Sequence, residues 1–540
     1  MRTNYIFISG GVVSGLGKGI TTASIGKVLQ SKGFKVTAIK IDPYINLDAG
    51  TLRPTEHGEV WVTDDGGEID QDLGHYERFL DTEISKEHNI TTGQVYEVVI
   101  EKERNGEYLG KTVEVIPHIP NEIKRRIKDV AKKTKTDFVM VEIGGTVGDY
   151  QNVLFLEAAR EMKLEGENVI FIHVGYLPVL EHIGEMKSKP MQHSVKELRT
   201  IGIQPDFIVC RSDYPVDEVR KDKIALFCNV NKNDIISNPN LENVYELPLL
   251  FEEQNLGNKI LGKLKIKLRK KDLGDWEKFI KDLKDIKKTV KIGIVGKYFD
   301  IGKYKLPDSY ISVIEAVKHA AWHNSVKPEI EWIDSKIFEK SPEKLSMLEK
   351  MDGIIVPGGF GLTGIEGKIA AINYVREHKI PYLGLCLGMQ LAVVEFTRNV
   401  CKMNRANTTE VDPKTPHPII DLIPEQVKLI RESRYGATMR LGAYPAILKN
   451  GTLIRKLYGK DKVWERHRHR YEVNPKYIEI LEKNGIIFSG KSPDGILMEF
   501  MELPNHPCFI ATQAHPEFNS RPMKPSPMFD GLIKACIKKL

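Results

Sequence analysis

Tyr5-Ile6-Phe7-Ile8-Ser9-Gly10-Gly11-Val12-Val13-Ser14-Gly15-Leu16-Gly17-Lys18-Gly19-Ile20-Thr21-Thr22 decides the fold of the first half of the chain. An apolar run enters a glycine-rich turn, and the segment Ile20 to Leu29 has the spacing of an amphipathic helix. In such a strand, loop and helix, loop N–H groups approach phosphate oxygens, the helix N-terminus adds partial positive charge, and Lys18 reaches the outer phosphates. The match to G-x-x-x-x-G-K-[ST] is incomplete. No glycine fills the first position, and Gly19 stands where a hydroxyl residue is usual, leaving Thr21 as the nearest candidate. The competing reading is a tight strand-to-helix turn without a ligand. Arg2 and the apolar run after it have the look of a signal peptide, but Lys18 and the helix that follows exclude one.

Further runs rich in Ile, Val and Phe recur between helical patterns: Lys35 to Ile41, Phe138 to Ile143, Asn168 to Val174 and Asp206 to Cys210. Strands buried on both faces of a parallel sheet read this way, so a doubly wound α/β domain is expected over residues 1–265. Residues 266–290 are lysine-rich, with Trp276, Phe279 and Ile280 at helical spacing, and read as a linker with a surface helix. A second α/β series over 291–540 starts with Val290 to Val295 and continues through Gly353 to Pro357 and Pro381 to Leu385.

A chain of 540 residues needs more than one core. Hydrophobic residues at 41% and charged residues at 28% are those of a globular protein and exclude disorder. A net charge of +6 does not argue for nucleic acid as a partner. Six scattered cysteines without a C-x-x-C pair signal neither a disulfide framework nor zinc, and a reducing cytoplasm fits them best. No run reaches the roughly 18 to 20 apolar residues of a membrane span.

Two acids stand where Mg-nucleotide chemistry needs them. Glu142 ends the run Phe138-Val139-Met140-Val141 ahead of Gly144-Gly145-Thr146-Val147-Gly148-Asp149, and Asp72 lies in Asp70 to Phe79. A carboxylate at the end of a parallel strand points into the ligand crevice, although either one alone reads equally as a solvated turn acid. Lys187-Ser188-Lys189-Pro190 places two lysines beside a proline, which suits a triphosphate or a solvated basic turn.

The second half carries Pro381-Tyr382-Leu383-Gly384-Leu385-Cys386-Leu387-Gly388-Met389-Gln390. A strand running through G-x-C-x-G into a helix is a nucleophile elbow with Cys in place of Ser, and the helix N-terminus favours the thiolate. A buried core cysteine is the bland alternative. Downstream, Gln513-Ala514-His515-Pro516-Glu517 supplies a base and its orienting acid, and Val356-Pro357-Gly358-Gly359-Phe360-Gly361 supplies a turn whose N–H groups suit an oxyanion.

With these pieces quoted, the sequence resembles the CTP synthase family over essentially its whole length. Lys40-Ile41-Asp42-Pro43-Tyr44, His57-Gly58-Glu59-Val60, Met439-Arg440-Leu441-Gly442 and Arg466-His467-Arg468-His469-Arg470-Tyr471 add to the match. The resemblance implies two doubly wound α/β domains, a P-loop-like amidoligase and a class I glutamine amidotransferase. It implies that Gly15, Leu16, Gly17, Lys18, Gly19, Ile20, Lys40 and Asp72 bind ATP, and that Asp72 and Glu142 hold Mg²⁺. Ser14, Asp149, Gln151, Lys187, Lys189, Gln192 and Lys223 would bind the acceptor UTP. Gly359, Leu387, Gln390, Glu410 and Arg470 would bind glutamine around the triad Cys386, His515 and Glu517, with His57 near an ammonia entrance. A homotetramer in the cytoplasm, GTP activation and CTP inhibition are implied as well, with no nucleic acid or membrane partner.

The chain departs from the family at four places. Gln151 replaces a carboxylate expected at the acceptor ribose, Tyr150 precedes it, and Glu114 and Glu181 replace family residues on the same acceptor side. Thr363 stands where the family has an arginine associated with GTP activation. These changes leave two competing readings, an amidoligase for a different nucleotide and a non-catalytic, filament-forming relative. The intact Cys386, His515, Glu517, Lys18, Asp72 and Glu142 argue against the second.

Overall fold

Apolar strands of this kind bury both faces, and in the computed structural model each residue of the strand Asn4–Gly11 is buried. The structure describes residues 2–13, 15–180, 184–270, 272–297, 300–301, 304–305, 307–359, 361–422 and 439–539. Ser14 and Glu181 lie outside the described residues. The chain divides into two compact units, Met1–Ala49 with Ile69–Lys281, and Gly50–Glu68 with Asp282–Leu540.

The first unit holds a seven-stranded parallel sheet in the order Ile235–Pro239, Phe207–Ser212, Asn168–Tyr176, Asn4–Gly11, Phe138–Ile143, Val36–Asp42, Asn89–Thr91. Side chains alternate between the two faces, so Tyr5 and Phe7 join Ile39, Val139 and Phe171 in one core while Ile6 and Ile8 are buried on the other side. In register, Ile8 lies opposite Glu142 and Gly11 opposite Gly175, which brings the glycine loop and the acidic strand end to the same edge of the sheet.

The helix after the loop, Lys18–Ser31, is not amphipathic as the sequence suggests. It buries Thr21, Thr22, Ser24 and Gly26 along with Ile25, Val28 and Leu29, because the helices Asp72–Leu80 and Leu247–Glu253 pack over it as well as the sheet. Gly26 permits this closeness, since a Cβ there would lie 2.9 Å from Leu80. The helix Gly274–Lys284 is present, but Trp276 and Ile280 are buried. Trp276 gives its indole N–H to the Tyr245 carbonyl at 2.9 Å and packs near Phe79, so the apolar stripe of this helix has a docking place in the first unit.

The second unit is built on a nine-stranded sheet in the order Lys327–Asp334, Thr289–Gly296, Gly353–Val356, Tyr382–Leu385, Phe509–Thr512, Met498–Glu502, Ile487–Lys491, Arg440–Leu448, Lys462–His469. The first five run parallel and the rest antiparallel. The early segment Gly50–Glu68 is part of this unit. Trp61 packs on Phe518 with ring centroids 4.9 Å apart, Ser312 N–H donates to Glu59 at 3.0 Å, and Ala443 N–H donates to the Asp64 carbonyl at 2.9 Å. No described helix is long and apolar enough to cross a membrane.

Candidate active sites

Cys386 sits between the strand Tyr382–Leu385 and the helix Leu387–Asn399 with φ 50° and ψ −101°, a conformation that L-residues rarely adopt. Its N–H is fixed to the Thr512 carbonyl of the neighbouring strand at 2.8 Å. The glycines flanking it are required by space: a Cβ at Gly384 would lie 2.7 Å from the Tyr382 hydroxyl, and one at Gly388 would overlap the Val356 carbonyl. The strained turn therefore lifts the sulfur off the sheet at a helix N-terminus.

The strand Phe509–Thr512 and the turn after it bring His515 to the sulfur. His515 Nδ1 lies 2.7 Å from Glu517 Oε1, which fixes the tautomer and leaves the other ring nitrogen for Cys386. Burial works against an imidazolium here, but Glu517 and the Cys386 sulfur outweigh it and hold His515 up at about 10. Gln513 Nε2 reaches Cys386 Sγ at 3.6 Å, and His515 N–H is held by the Arg466 carbonyl at 2.8 Å.

A cavity of 240 Å³ opens on this group and is lined by Cys386, His515, Glu517, Gly358, Gly359 and Arg468, with Leu52, Arg53 and Glu59 from the early segment. Of the residues expected around glutamine, Gly359 lines the cavity, and Leu387 begins the helix behind the sulfur with its N–H at the positive end. Gln390 is buried and donates to the Tyr471 carbonyl at 2.9 Å. Glu410 accepts from Gly361 N–H at 3.2 Å, and Arg470 is half-buried one residue before Tyr471. His57 ends the short helix Pro54–His57 between cavity-lining Arg53 and Glu59, and Thr363 is exposed.

Sequence reading gives no role to Gln513 or Arg468, and it places residues 50–68, with His57, in the first domain, whereas Gly50–Glu68 belongs to the second unit. The signal available was the period of two in Arg466-His467-Arg468-His469, which on a strand sends charges and imidazoles to opposite faces. Arg466 pairs with Asp64 and Arg468 with Glu68, while His467 Nδ1 lies 2.9 Å from His469 Nε2 in the interior.

In the first unit, Gly15 and Gly17 take positive φ, and Lys18 Nζ donates to the Gly145 carbonyl at 2.7 Å. Gly10 leaves room for the lysine stem, since its Cβ would lie 2.6 Å from Lys18 Cδ. Leu16 and Gly19 are buried, and Ile20 is half-buried in the first turn of the helix. Thr21, the nearest hydroxyl candidate, is buried and takes the Asn238 amide at 3.4 Å. Lys40 is bound by Asp72 and, at 2.8 Å, by Glu142, whose second oxygen accepts from Tyr76. Burial disfavours the Lys40 charge, yet Asp72 and Glu142 raise it well above the usual lysine range. Burial pushes Asp42 up to about 6 and Asp70 up to about 8. Four carboxylates act on Lys40, and Glu142, Asp72 and Asp42 act on Lys18 as well, so carboxylates outnumber lysines here, which suits a divalent cation that takes one or two carboxylates and shares phosphate oxygens. Among the described residues no group of three or more His, Cys, Asp or Glu is placed to hold a metal ion.

The residues expected at the acceptor fall in two places. Asp149 and Gln151 are exposed in the loop after the strand Phe138–Ile143, with Asp149 accepting from Thr146 N–H at 3.0 Å. Lys187 and Arg220 both pair with Glu185, at 2.8 and 2.9 Å, and Lys223 acts on the same carboxylate. Lys189 and Gln192 line an open groove with Lys196 and Arg199 along the helix Lys189–Thr200. Arg220, Lys196 and Arg199 were not singled out by sequence.

A cysteine elbow served by a histidine and a glutamate, on a mixed sheet of this order, defines a class I glutamine amidotransferase unit, here in one chain with an α/β unit carrying a phosphate-type loop. The family model for the CTP synthase N-terminus matches residues 4–266, and that for class I glutamine amidotransferase matches 305–535. Curated relatives called CTP synthase include those of Pyrococcus furiosus, 58% identical over 99% of this chain and 98% of that one, and Methanocaldococcus jannaschii, 54% identical over 99% and 98%. That of Carboxydothermus hydrogenoformans is 53% identical over 99% of each chain. The chain belongs to the CTP synthase family.

Proposed function

We infer that this chain is a ligase that converts UTP to CTP with ATP and the amide nitrogen of glutamine. The observation that carries the reading is that one chain joins the Cys386, His515 and Glu517 constellation to the Lys18, Lys40 and carboxylate site, over nearly the full length of its CTP synthase relatives. The amidoligase is assigned residues 1–265, a linker 266–290, and the amidotransferase 291–540, with Gly50–Glu68 folding as part of the amidotransferase unit.

In the glutaminase, Cys386 thiolate attacks the glutamine amide carbon, and the N–H groups of Gly359 and Leu387 receive the developing oxyanion. His515 gives its proton to the departing ammonia, and then takes one from the water that frees glutamate from the sulfur. Glu517 keeps the imidazole oriented through Nδ1. Gln390, Glu410 and Arg470 shape the glutamine pocket, and ammonia leaves on the side of His57. In the amidoligase, Gly15 to Gly19 and Ile20 bind the ATP phosphates, Lys18 offsets charge on the transferring phosphoryl group, and Lys40 orients Asp72 and Glu142. Asp72 and Glu142 would hold Mg²⁺, which when bound would neutralise charge at the phosphates. Phosphorylation of the pyrimidine 4-oxygen makes it a leaving group. Ammonia takes its place at C4, releasing phosphate.

Ser14, Asp149, Gln151, Lys187, Lys189, Gln192 and Lys223 bind the acceptor, in a cytoplasmic homotetramer. CTP inhibits weakly because Gln151 and Glu114 alter the acceptor side, and GTP activates weakly because Thr363 replaces an arginine. The test is to supply ATP and glutamine with each nucleoside triphosphate in turn and identify the aminated product. CTP formed from UTP supports the reading. Amination of another nucleotide with none of UTP overturns it.

A further inference from the structure

On the face of the first sheet that carries Tyr5, Phe7 and Phe171, the strands Asn4–Gly11 and Asn168–Tyr176 turn polar toward their carboxyl ends, where Ser9 and His173 follow as register partners. The helix Lys189–Thr200 packs over both strands. Its Ser194 completes a buried trio: Ser9 Oγ lies 3.0 Å from His173 Nδ1, and His173 Nε2 lies 2.9 Å from Ser194 Oγ. The approach is close enough to need glycine beneath it. A Cβ at Gly11 would lie 1.5 Å from Ser194 Oγ, and one at Gly175 would lie 2.6 Å from Met191 Cε.

Polar side chains buried in an apolar core are costly unless they are bonded. Once satisfied, such a trio accepts one arrangement of its elements, because a shifted helix leaves a buried imidazole nitrogen unpaired. Burial pushes His173 down to about 3 and Lys18 acts the same way, so the ring is neutral, with one nitrogen to donate and the other to accept. That suits a hydroxyl on either side. Ser9 precedes Gly10, whose missing side chain makes room for Lys18, and Ser194 lies on the helix whose Lys189 and Gln192 line the open groove. At about 100° per residue, Ser194 stands roughly 200° around the helix from Gln192 and about 140° from Lys189, so any roll of the helix at Ser194 swings both groove residues.

We propose that His173 is a positioning residue for the acceptor nucleotide: by bridging Ser9 to Ser194 it fixes the roll of the helix Lys189–Thr200 on the phosphate-loop strand, and so aims Lys189 and Gln192 at the acceptor phosphates. The inference rests on the reading of this helix as part of the acceptor site.

The test is isothermal titration of UTP, and separately of ATP with Mg²⁺, into the full-length protein. Ser194→Ala removes the hydroxyl with little change in volume, and it should weaken UTP binding by roughly tenfold, the worth of one buried hydrogen bond, with ATP binding within about twofold of wild type. His173→Asn, whose amide reaches only toward Ser9, should do the same. His173→Gln, whose amide reaches the place of Nε2 beside Ser194, should bind UTP as the wild type does. Wild-type UTP binding in Ser194→Ala, or UTP and ATP weakened alike, overturns the proposal, as does a folded His173→Gln no better than His173→Asn. If the His173 variants do not fold, Ser194→Ala decides alone. Lys189→Ala separates the proposal from the reading beneath it: wild-type UTP binding there removes the helix from the acceptor site and the inference with it, whereas weakened binding in Lys189→Ala beside unchanged binding in Ser194→Ala refutes the inference alone.

Discussion

Arg468 donates from Nε to Glu68 at 2.7 Å across 400 positions of sequence, and both side chains are nearly removed from water, at 13% and 3% exposure. The pair ties the early segment to the strand whose next turn of backbone lies against the Cys386 sulfur, the Arg468 carbonyl being 3.9 Å from it. Breaking such a pair leaves a buried charge uncompensated, so Arg468→Met should cost about 3 kcal/mol. The measurement is the urea midpoint for loss of glutamine hydrolysis. Arg468→Met with Glu68→Gln should lose less than the two single changes added together, as expected of direct partners.

His515 makes the stability of this unit depend on pH. Its folded value of about 10 lies above the unfolded reference of about 6.5, so its ion pair contributes stability that is complete below the unfolded value. That stability is lost as pH rises through the folded value. Glu517→Gln removes the leading attraction, and the gap in stability between wild type and variant should be widest just below the unfolded value and narrow toward pH about 10. Thermal unfolding across that range reads it, and a gap that widens with pH contradicts the assignment.

Gly358 leaves room for the imidazole. A Cβ there would lie 2.8 Å from His515 Cε1 and 3.7 Å from Cys386 Cβ. Gly358→Ala should displace the ring, and a misplacement of that order lowers turnover by about 100-fold. Glutamine-supported CTP synthesis should fall by that factor, while synthesis from ammonium salts stays near wild type.

The elbow, the His515 to Glu517 spacing and the parallel strands were legible because each is local: glycines two residues either side of Cys386, one residue between base and acid, Ile and Val runs bounded by turns. The segment Ile20 to Leu29 has amphipathic spacing, but periodicity records one buried face, whereas two helices close over the helix Lys18–Ser31 from the solvent side. The partners of Arg466 and Arg468 were illegible, since nothing in Thr51 to Glu68 announces that it folds with residues 400 positions later.

Gln151 is exposed in the loop proposed to bind the acceptor, where a carboxylate is expected. A charge-assisted bond to a ribose hydroxyl exceeds a neutral one by about 1 kcal/mol, roughly five-fold in affinity. Gln151→Glu should therefore tighten UTP binding by about that factor and strengthen CTP inhibition, which isothermal titration and inhibition kinetics measure. Tight CTP inhibition of the unaltered protein contradicts the ribose argument.

Two sites in one chain divide the labour, which CTP formation in Cys386→Ala and Lys18→Ala, supplied with glutamine or with ammonium salts, tests most directly. Cys386→Ala should make no CTP from glutamine yet make it from ammonium at close to the wild-type rate. Lys18→Ala should make none from either source while still hydrolysing glutamine. Equal loss of both activities in Cys386→Ala, or CTP still formed from glutamine, would contradict the account.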